Sequence, residues 1–251
     1  MGVVITFINE KGGIGKSSSC FNLAWAMSEK EKILMIDMDG QRSNLTFFTG
    51  TKKTDTTATI YNVLNEDLDI RKTIVNVKEN LDLIPATSNV MNLSQNSKIT
   101  KLKRALESIR EEYSKILIDV NPSPNWTHVL ALSTSDYIII PMLPDIASLE
   151  ANKGIAESIE EILETTNPKL KVLGLLFNKN TNTTNLSKQV KEVAGLVAEQ
   201  LNTTVFETKI RNAVVLSECI AFHKGVTEYD PKSAAAQDIY NLVEEIEGRI
   251  Q

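Results

Sequence analysis

The sequence has little of what several protein classes require. Its two cysteines, Cys20 and Cys219, are far apart and neither has a C-x-x-C neighbour. That spacing argues against a disulfide framework and a thiolate or iron–sulfur centre, and it fits a reducing cytoplasm. No apolar run approaches the ~20 residues of a membrane span. The N-terminus lacks the basic n-region of a signal peptide. Positive charge is not in excess: 27 Lys and Arg stand against 32 Asp and Glu, a formal net charge of −5. Bulk charge therefore does not indicate a strongly basic nucleic-acid binder, and any such contact needs a local patch. There is no linker rich in Pro, Gly or Ser, no internal repeat and no low-complexity tract. The two histidines, His128 and His223, have no carboxylate or cysteine at metal-ligand spacing and read as structural or surface residues. A single domain spanning 1–251, soluble and cytoplasmic, is the expectation that remains; with 42% hydrophobic residues it can bury a large core.

What is present is organised around residues 9–19, Asn9-Glu10-Lys11-Gly12-Gly13-Ile14-Gly15-Lys16-Ser17-Ser18-Ser19. The preceding Val3-Val4-Ile5-Thr6-Phe7-Ile8 reads as a buried strand. After it, Cys20, Phe21, Leu23, Ala24 and Met27 recur as one face of a helix does. Strand, glycine-rich turn and helix form the context that a phosphate-binding loop requires. Glycines let consecutive N–H groups approach phosphate oxygens, and the helix N-terminus adds its positive dipole end. Gly12, Gly13, Ile14, Gly15, Lys16, Ser17 and Ser18 are thus candidate nucleotide-binding residues. Lys16 would reach the β- and γ-phosphates and Ser17 would ligate Mg²⁺. The plain pattern would place glycine at position 10; here Glu10-Lys11 starts K-G-G-x-G-K-S, with a second lysine near the start of the loop.

Downstream, three apolar runs end in polar groups. Lys32-Ile33-Leu34-Met35-Ile36-Asp37 leads into Met38-Asp39-Gly40-Gln41, so that Asp37 and Asp39 stand at a strand's C-terminal end, where α/β sheets place ligands. One of them can support the Mg²⁺ shell and the other can orient water. Ile116-Leu117-Ile118-Asp119 reads as the Walker B strand, with Asp119 binding Mg²⁺ through water. Lys171 to Phe177 ends in Asn178-Lys179, where Asn178 is a candidate adenine contact. Further strands are expected at 81–85, 137–141 and 204–210. Helices are expected at 98–112, 148–166, 186–201 and 233–247, and residues 42–80 read as a helix and loops outside the core. Apolar strands alternating with amphipathic helices predict an α/β fold, a mostly parallel sheet with helices on both faces, as in P-loop NTPases.

With these pieces placed, the chain resembles the ParA/MinD class of ATPases with a deviant Walker A loop, and within it the short, Soj-like ParA partition ATPases. The resemblance covers nearly the whole length. It rests on Asn9 to Ser17, on Asp37-Met38-Asp39-Gly40-Gln41 where the family usually has D-x-D-P-Q, and on Ile116 to Asp119. It continues through Ile139-Ile140-Pro141 and Asn185-Leu186-Ser187, and it is most specific from Ile210-Arg211-Asn212 through Leu216-Ser217-Glu218 to Glu228-Tyr229-Asp230-Pro231-Lys232-Ser233. It implies an ATP-dependent homodimer that binds double-stranded DNA non-specifically and associates with the nucleoid. It also implies slow ATP hydrolysis, stimulated by a ParB-like centromere-binding partner, in the segregation of a plasmid, chromosome or mobile element. On matched positions Lys11 is the cross-dimer lysine, Lys16 the phosphate lysine, Ser17 and Asp119 serve Mg²⁺, and Asp39 positions the attacking water. Because the sequence opens almost at its first strand, the N-terminal DNA-binding extension of longer ParA proteins is expected to be lacking.

Two departures stand out. Gly40 replaces the usual proline, which is expected to loosen the turn after Asp39. Val214-Val215 occupies the place where many Soj-like chains carry a basic DNA contact, leaving Lys188, Lys191, Lys209, Arg211, Lys224 and Lys232 as the candidate DNA-binding residues. The alternative is a MinD-like ATPase that positions another cargo or acts at the membrane. Its basic amphipathic tail is not matched by 241–251, where Glu244, Glu245 and Glu247 stand against Arg249.

Overall fold

The computed structural model describes residues 1–54, 57–93, 98–145, 153–181 and 188–250. Seven strands form one sheet: β1 (Val3–Phe7), β2 (Ile33–Met38), β3 (Val75–Lys78), β4 (Leu81–Ile84), β5 (Lys115–Val120), β6 (Tyr137–Met142) and β7 (Lys171–Phe177). Their order is β3-β4-β2-β5-β1-β6-β7, all parallel except the antiparallel β3–β4 edge pair. The described helices are α1 (Lys16–Met27), α2 (Asn44–Phe48), α3 (Ile60–Glu66), α4 (Lys101–Glu107) and α5 (Trp126–Thr134), then α6 (Lys153–Thr165), α7 (Lys188–Gln200), α8 (Val215–Ala221), α9 (Val226–Tyr229) and α10 (Ala234–Arg249).

The alternation of side chains along each strand divides the core in two. Val4, Leu34, Ile36, Ile116 and Ile138 face one layer, with Leu102 of α4, Leu130 of α5, Ile155 of α6 and Ala194 of α7. Ile5, Phe7, Met35, Leu117 and Ile139 face the other, with Phe21 of α1, Leu45 of α2, Cys219 of α8 and Ile239 of α10. Both faces are covered, which is why the strands read as continuous apolar runs. From β1 the chain goes to β2 on one side of the sheet and later to β6 on the other. The crevice at the carboxyl ends of β1 and β5 is thus a topological switch point, the place where such sheets bind ligands.

Four local expectations change. The periodicity of 20–27 predicts one buried helix face, whereas α1 is buried on nearly every side because α10 packs over its outer surface. The polar stretch 42–80 contributes α2, α3 and the edge strand β3, whose Val75 and Val77 alternate with Asn76 and Lys78. The helix expected at 98–112 is shorter, ending at Glu107 before a 3₁₀ turn at Arg110–Glu112. Residues 204–210 do not form a strand. They make one bridge, Leu175 to Val205, and then the N–H groups of Glu207 and Thr208 donate to the Glu245 carboxylate instead of to a neighbouring strand. The other expected elements lie where expected, while α5, α8 and α9 form in stretches outside the expected elements. The start of the helix expected at 148–166 and the Asn185-Leu186-Ser187 motif fall outside the described residues.

Candidate functional site

The loop between β1 and α1 forms the floor of a cleft of about 360 Å³. Its walls come from the loop itself (Gly12 to Ser19), the turn Asp39, Gln41, Arg42 and Asn44, then Asn178-Lys179 and the segment Ile210 to Ala213 with Leu216 and Ile220. Two loop glycines are required by backbone geometry: Gly13 has φ +76° and Gly15 φ +93°. At Gly15 a Cβ would also stand 2.9 Å from Asn178 Nδ2. Gly15 occupies the N-cap of α1 and supplies no capping side chain, leaving the first-turn amides of that helix without a side-chain partner. Such an end suits a phosphate.

The charged groups meet just beneath this floor. Lys16 is buried, and its ammonium donates to the Lys11 carbonyl at 3.5 Å. Burial pushes its pKa down, while Asp119 and Asp39 oppose that shift by favouring the charged form. Both carboxylate oxygens of Asp119 are fully buried and accept no hydrogen bond of ordinary geometry from the described residues. Desolvation first, and then the Asp37 charge, push the Asp119 pKa well up, against the nearby Ser17 hydroxyl and Lys16. The Ser17 hydroxyl, half-buried at the cleft, accepts from Asn44 Nδ2 at 3.4 Å.

Asp37 and Asp39 are not equivalent. Asp37 Oδ2 accepts from the Thr46 N–H at 2.9 Å and hydroxyl at 2.7 Å, and Oδ1 accepts from the Asp39 N–H at 3.0 Å. Burial raises its pKa to about 6 against these bonds. The sequence groups Asp37 with the Mg²⁺ ligands, but here its oxygens anchor α2 and the 37–46 turn, and the residue lies behind the cleft wall. Asp39 does line the cleft, with Oδ1 accepting from the Gln41 and Arg42 amides at 2.9 and 3.2 Å.

Gly40 does not loosen this turn. A Cβ at position 40 would stand 2.9 Å from both Met91 N and Met91 Cγ, and 3.1 Å from Val90 Cβ. The 88–92 segment thus packs against the bare backbone of Gly40, and Met91 Sδ in turn accepts from Asn121 Nδ2 at 3.6 Å.

Asn178 is at the cleft, yet its amide is already engaged: Nδ2 donates to the Ile14 carbonyl at 3.0 Å and Oδ1 accepts from Ser19 Oγ at 3.2 Å. Lys11 reaches Asp145 of its own chain at 3.6 Å. Of the candidate DNA-binding residues, Arg211 is held by Asp238 through two bonds of 2.6 and 2.7 Å, and Lys224 pairs with Glu228 at 2.9 Å. Lys191 and Lys232 are exposed, Lys209 is half-buried, and the Lys188 side chain lies outside the described residues. His128 Nε2 lies 2.7 Å from the Asn121 carbonyl and His223 Nδ1 3.2 Å from that of Phe48, in keeping with structural roles. Asn44, Phe48 and Ala213 line the cleft without having stood out in the sequence, because none belongs to the phosphate-loop or strand-end patterns.

A glycine-rich loop carrying Lys16 and Ser17 over an unpaired buried carboxylate is the arrangement of a P-loop NTPase. The AAA domain family model matches residues 2–172. Over 98% of its length and 98% of the relative's, the chain is 32% identical to the sporulation initiation inhibitor protein Soj of Bacillus subtilis. It belongs to the ParA/Soj family of P-loop ATPases. It is also 31% identical to the chromosome partitioning protein ParA of Myxococcus xanthus, over 98% of this chain and 88% of that one. A putative plasmid partition protein from Borrelia burgdorferi, solved bound to AMPPNP, superposes over the full length of both chains with a TM-score of 0.82 at 28% identity. As a ParA/Soj-family ATPase the chain is expected to use nucleotide and magnesium. Among the described residues, no helix is long and apolar enough to cross a membrane.

Proposed function

We propose that this ATPase partitions DNA: it dimerises on ATP, binds duplex DNA without sequence preference, and is released when a ParB-like partner stimulates slow hydrolysis. The carboxylate of Asp119 carries the catalytic part of this reading. Two fully buried carboxyl oxygens with no well-formed hydrogen bond from the described residues, next to Ser17 and Lys16 at the end of a Walker B strand, fit a hydrated divalent cation. Mg²⁺ held there would supply charge stabilisation for phosphoryl transfer. Ser17 and Asp119 would hold it, leaving Asp37 to its hydrogen bonds with Thr46. Lys16 would face the β- and γ-phosphates, and Asp39, on the cleft wall, would orient the attacking water. Lys11, half-exposed and able to leave Asp145, would reach the partner's nucleotide across the dimer.

The DNA surface is expected to be narrower than the six basic residues suggest. Arg211 is committed to Asp238 through a bidentate pair, so Lys191, Lys209, Lys224 and Lys232, with Lys188, are the residues proposed to face phosphates; the exposed Lys224–Glu228 pair can part. Dimerisation would double that set, and binding should weaken steeply with salt. The deciding experiment is ATP turnover with and without random duplex and a ParB-like protein from the same source, paired with gel shifts in Mg-ATP at low salt. Random duplex left unretained by demonstrable dimers would overturn the DNA part of the proposal and leave the ATPase intact.

A further inference from the structure

The phosphate loop is held from outside by side chains that grip its carbonyls. Lys16 Nζ donates to the Lys11 carbonyl at 3.5 Å, Lys179 Nζ to that of Gly13 at 2.7 Å, and Asn178 Nδ2 to that of Ile14 at 3.0 Å. A peptide unit is planar and trans, so holding the carbonyl of one residue also sets the direction of the next residue's N–H. The amides fixed in this way belong to Gly12, Ile14 and Gly15, donors of the kind such a loop turns toward an anion.

The Lys179 contact matters most because packing does not do its work. Gly13 sits at φ +76°, and a Cβ built there would meet nothing within 4 Å. Few neighbouring atoms are placed to limit rotation of its peptide plane, so the ammonium is the tether. Lys179 itself stands at φ +52°, a left-handed conformation that is strained for a residue with a side chain. The backbone on either side locks it there: Asn178 N–H donates to the Met142 carbonyl at 2.8 Å, and Asn180 N–H to the Ile210 carbonyl at 3.0 Å. The strained turn at the end of β7 thus aims a lysine at the loosest peptide of the loop.

We infer that Lys179 is a positioning residue of the phosphate site, setting through the Gly13 carbonyl the peptide plane that presents the Ile14 N–H to a nucleotide phosphate. The inference rests on the cleft being the ATP site. Lys179→Met removes the tether and Lys179→Arg retains a charged donor able to reach the same carbonyl. Titration calorimetry with Mg-ATP and Mg-ADP, and competition with adenosine, should show Lys179→Met weakening both phosphate-bearing ligands about tenfold while adenosine is unchanged. Lys179→Arg should stay within about twofold of the parent chain. Equal losses for adenosine and Mg-ATP would make Lys179 a mere pocket wall, and an arginine variant as poor as the methionine one would remove the tether from the account; either result overturns the inference. If the parent chain binds Mg-ATP and Lys179→Met binds it equally well, only the role of Lys179 fails. If the parent chain does not bind Mg-ATP at all, the nucleotide-site reading fails and the role of Lys179 with it.

Discussion

Lys115 and Asp119 stand at opposite ends of β5, and both are buried, but the protein treats the two charges in opposite ways. At the amino end Lys115 meets two carboxylates, Glu31 and Glu247, the latter at 2.6 Å. Burial works against its ammonium, yet hydrogen bonds to Glu247 and Glu31 outweigh it and hold its pKa above the ordinary value. Its neighbours are paired too: Arg110 with Asp136, and Asp82 with the Tyr113 hydroxyl at 2.8 Å. At the carboxyl end Asp37, Asp39 and Asp119 gather around Lys16, and Asp119 has no well-formed hydrogen bond from any described residue. One end of the sheet is electrostatically satisfied and stabilises the fold. The other keeps one acid, Asp119, without a well-formed donor beside two further carboxylates, which is where a cation and a nucleotide have something to gain.

The comparison can be broken at either end, and the expected effects fall in a series. Asp39→Ala should reduce ATP turnover by about 10³-fold, roughly 4 kcal/mol, while Mg-ATP still binds, because orienting water acts mainly in the transition state. Single-turnover phosphate release checks it; parental rates would move the water-positioning role elsewhere. Lys16→Ala should weaken Mg-ATP about 100-fold, near 3 kcal/mol, by removing the ammonium that faces the phosphates. Calorimetry showing unchanged affinity would sink the phosphate-lysine assignment.

At the other end, Lys115→Met should lower ligand-free stability by about 2 kcal/mol. Loss of a buried ion-pair partner can cost more, but Glu31 and Glu247 reach solvent and recover part of their hydration. Nucleotide affinity should not move, and urea titration beside calorimetry separates the two quantities. Asp119→Asn should have the opposite sign, raising ligand-free stability by about 1 kcal/mol as it removes a buried charge next to other acids, while Mg²⁺-dependent turnover is lost. If urea titration finds the Asp119→Asn chain less stable, the Asp119 carboxylate is satisfied in the folded protein, and the contrast between the two ends dissolves.

Much of the site was legible because its grammar is local. The β1 strand, the K-G-G-x-G-K-S loop and the first helix follow one another without interruption, so their residue types state the chemistry directly. Strands β2, β5, β6 and β7 were readable for a related reason: covered on both faces, they need uninterrupted apolar runs. The short edge strand β3 was not, since its exposed alternation of Val and polar residues resembles a loop. The stretch 204–210 misled in the other direction. Phe206 and Ile210 are buried as strand residues would be, but Glu245 captures the amides between them.

By itself the sequence determined the α/β class, the phosphate loop and the strand-end acids, since each is encoded by residues adjacent in the chain. Only the tertiary structure decided which groups reach those acids. Asp37 and Asp119 look alike in sequence, each closing an apolar run, and they lie side by side in the sheet. Thr46, nine positions on in the chain, saturates Asp37 with two donors, and no described group does the same for Asp119. Gly40 reads as a looser turn until Val90 and Met91 are seen filling the space a side chain would need. In each case the deciding partner arrives through the fold, and a buried polar group takes its role from the donors that reach it.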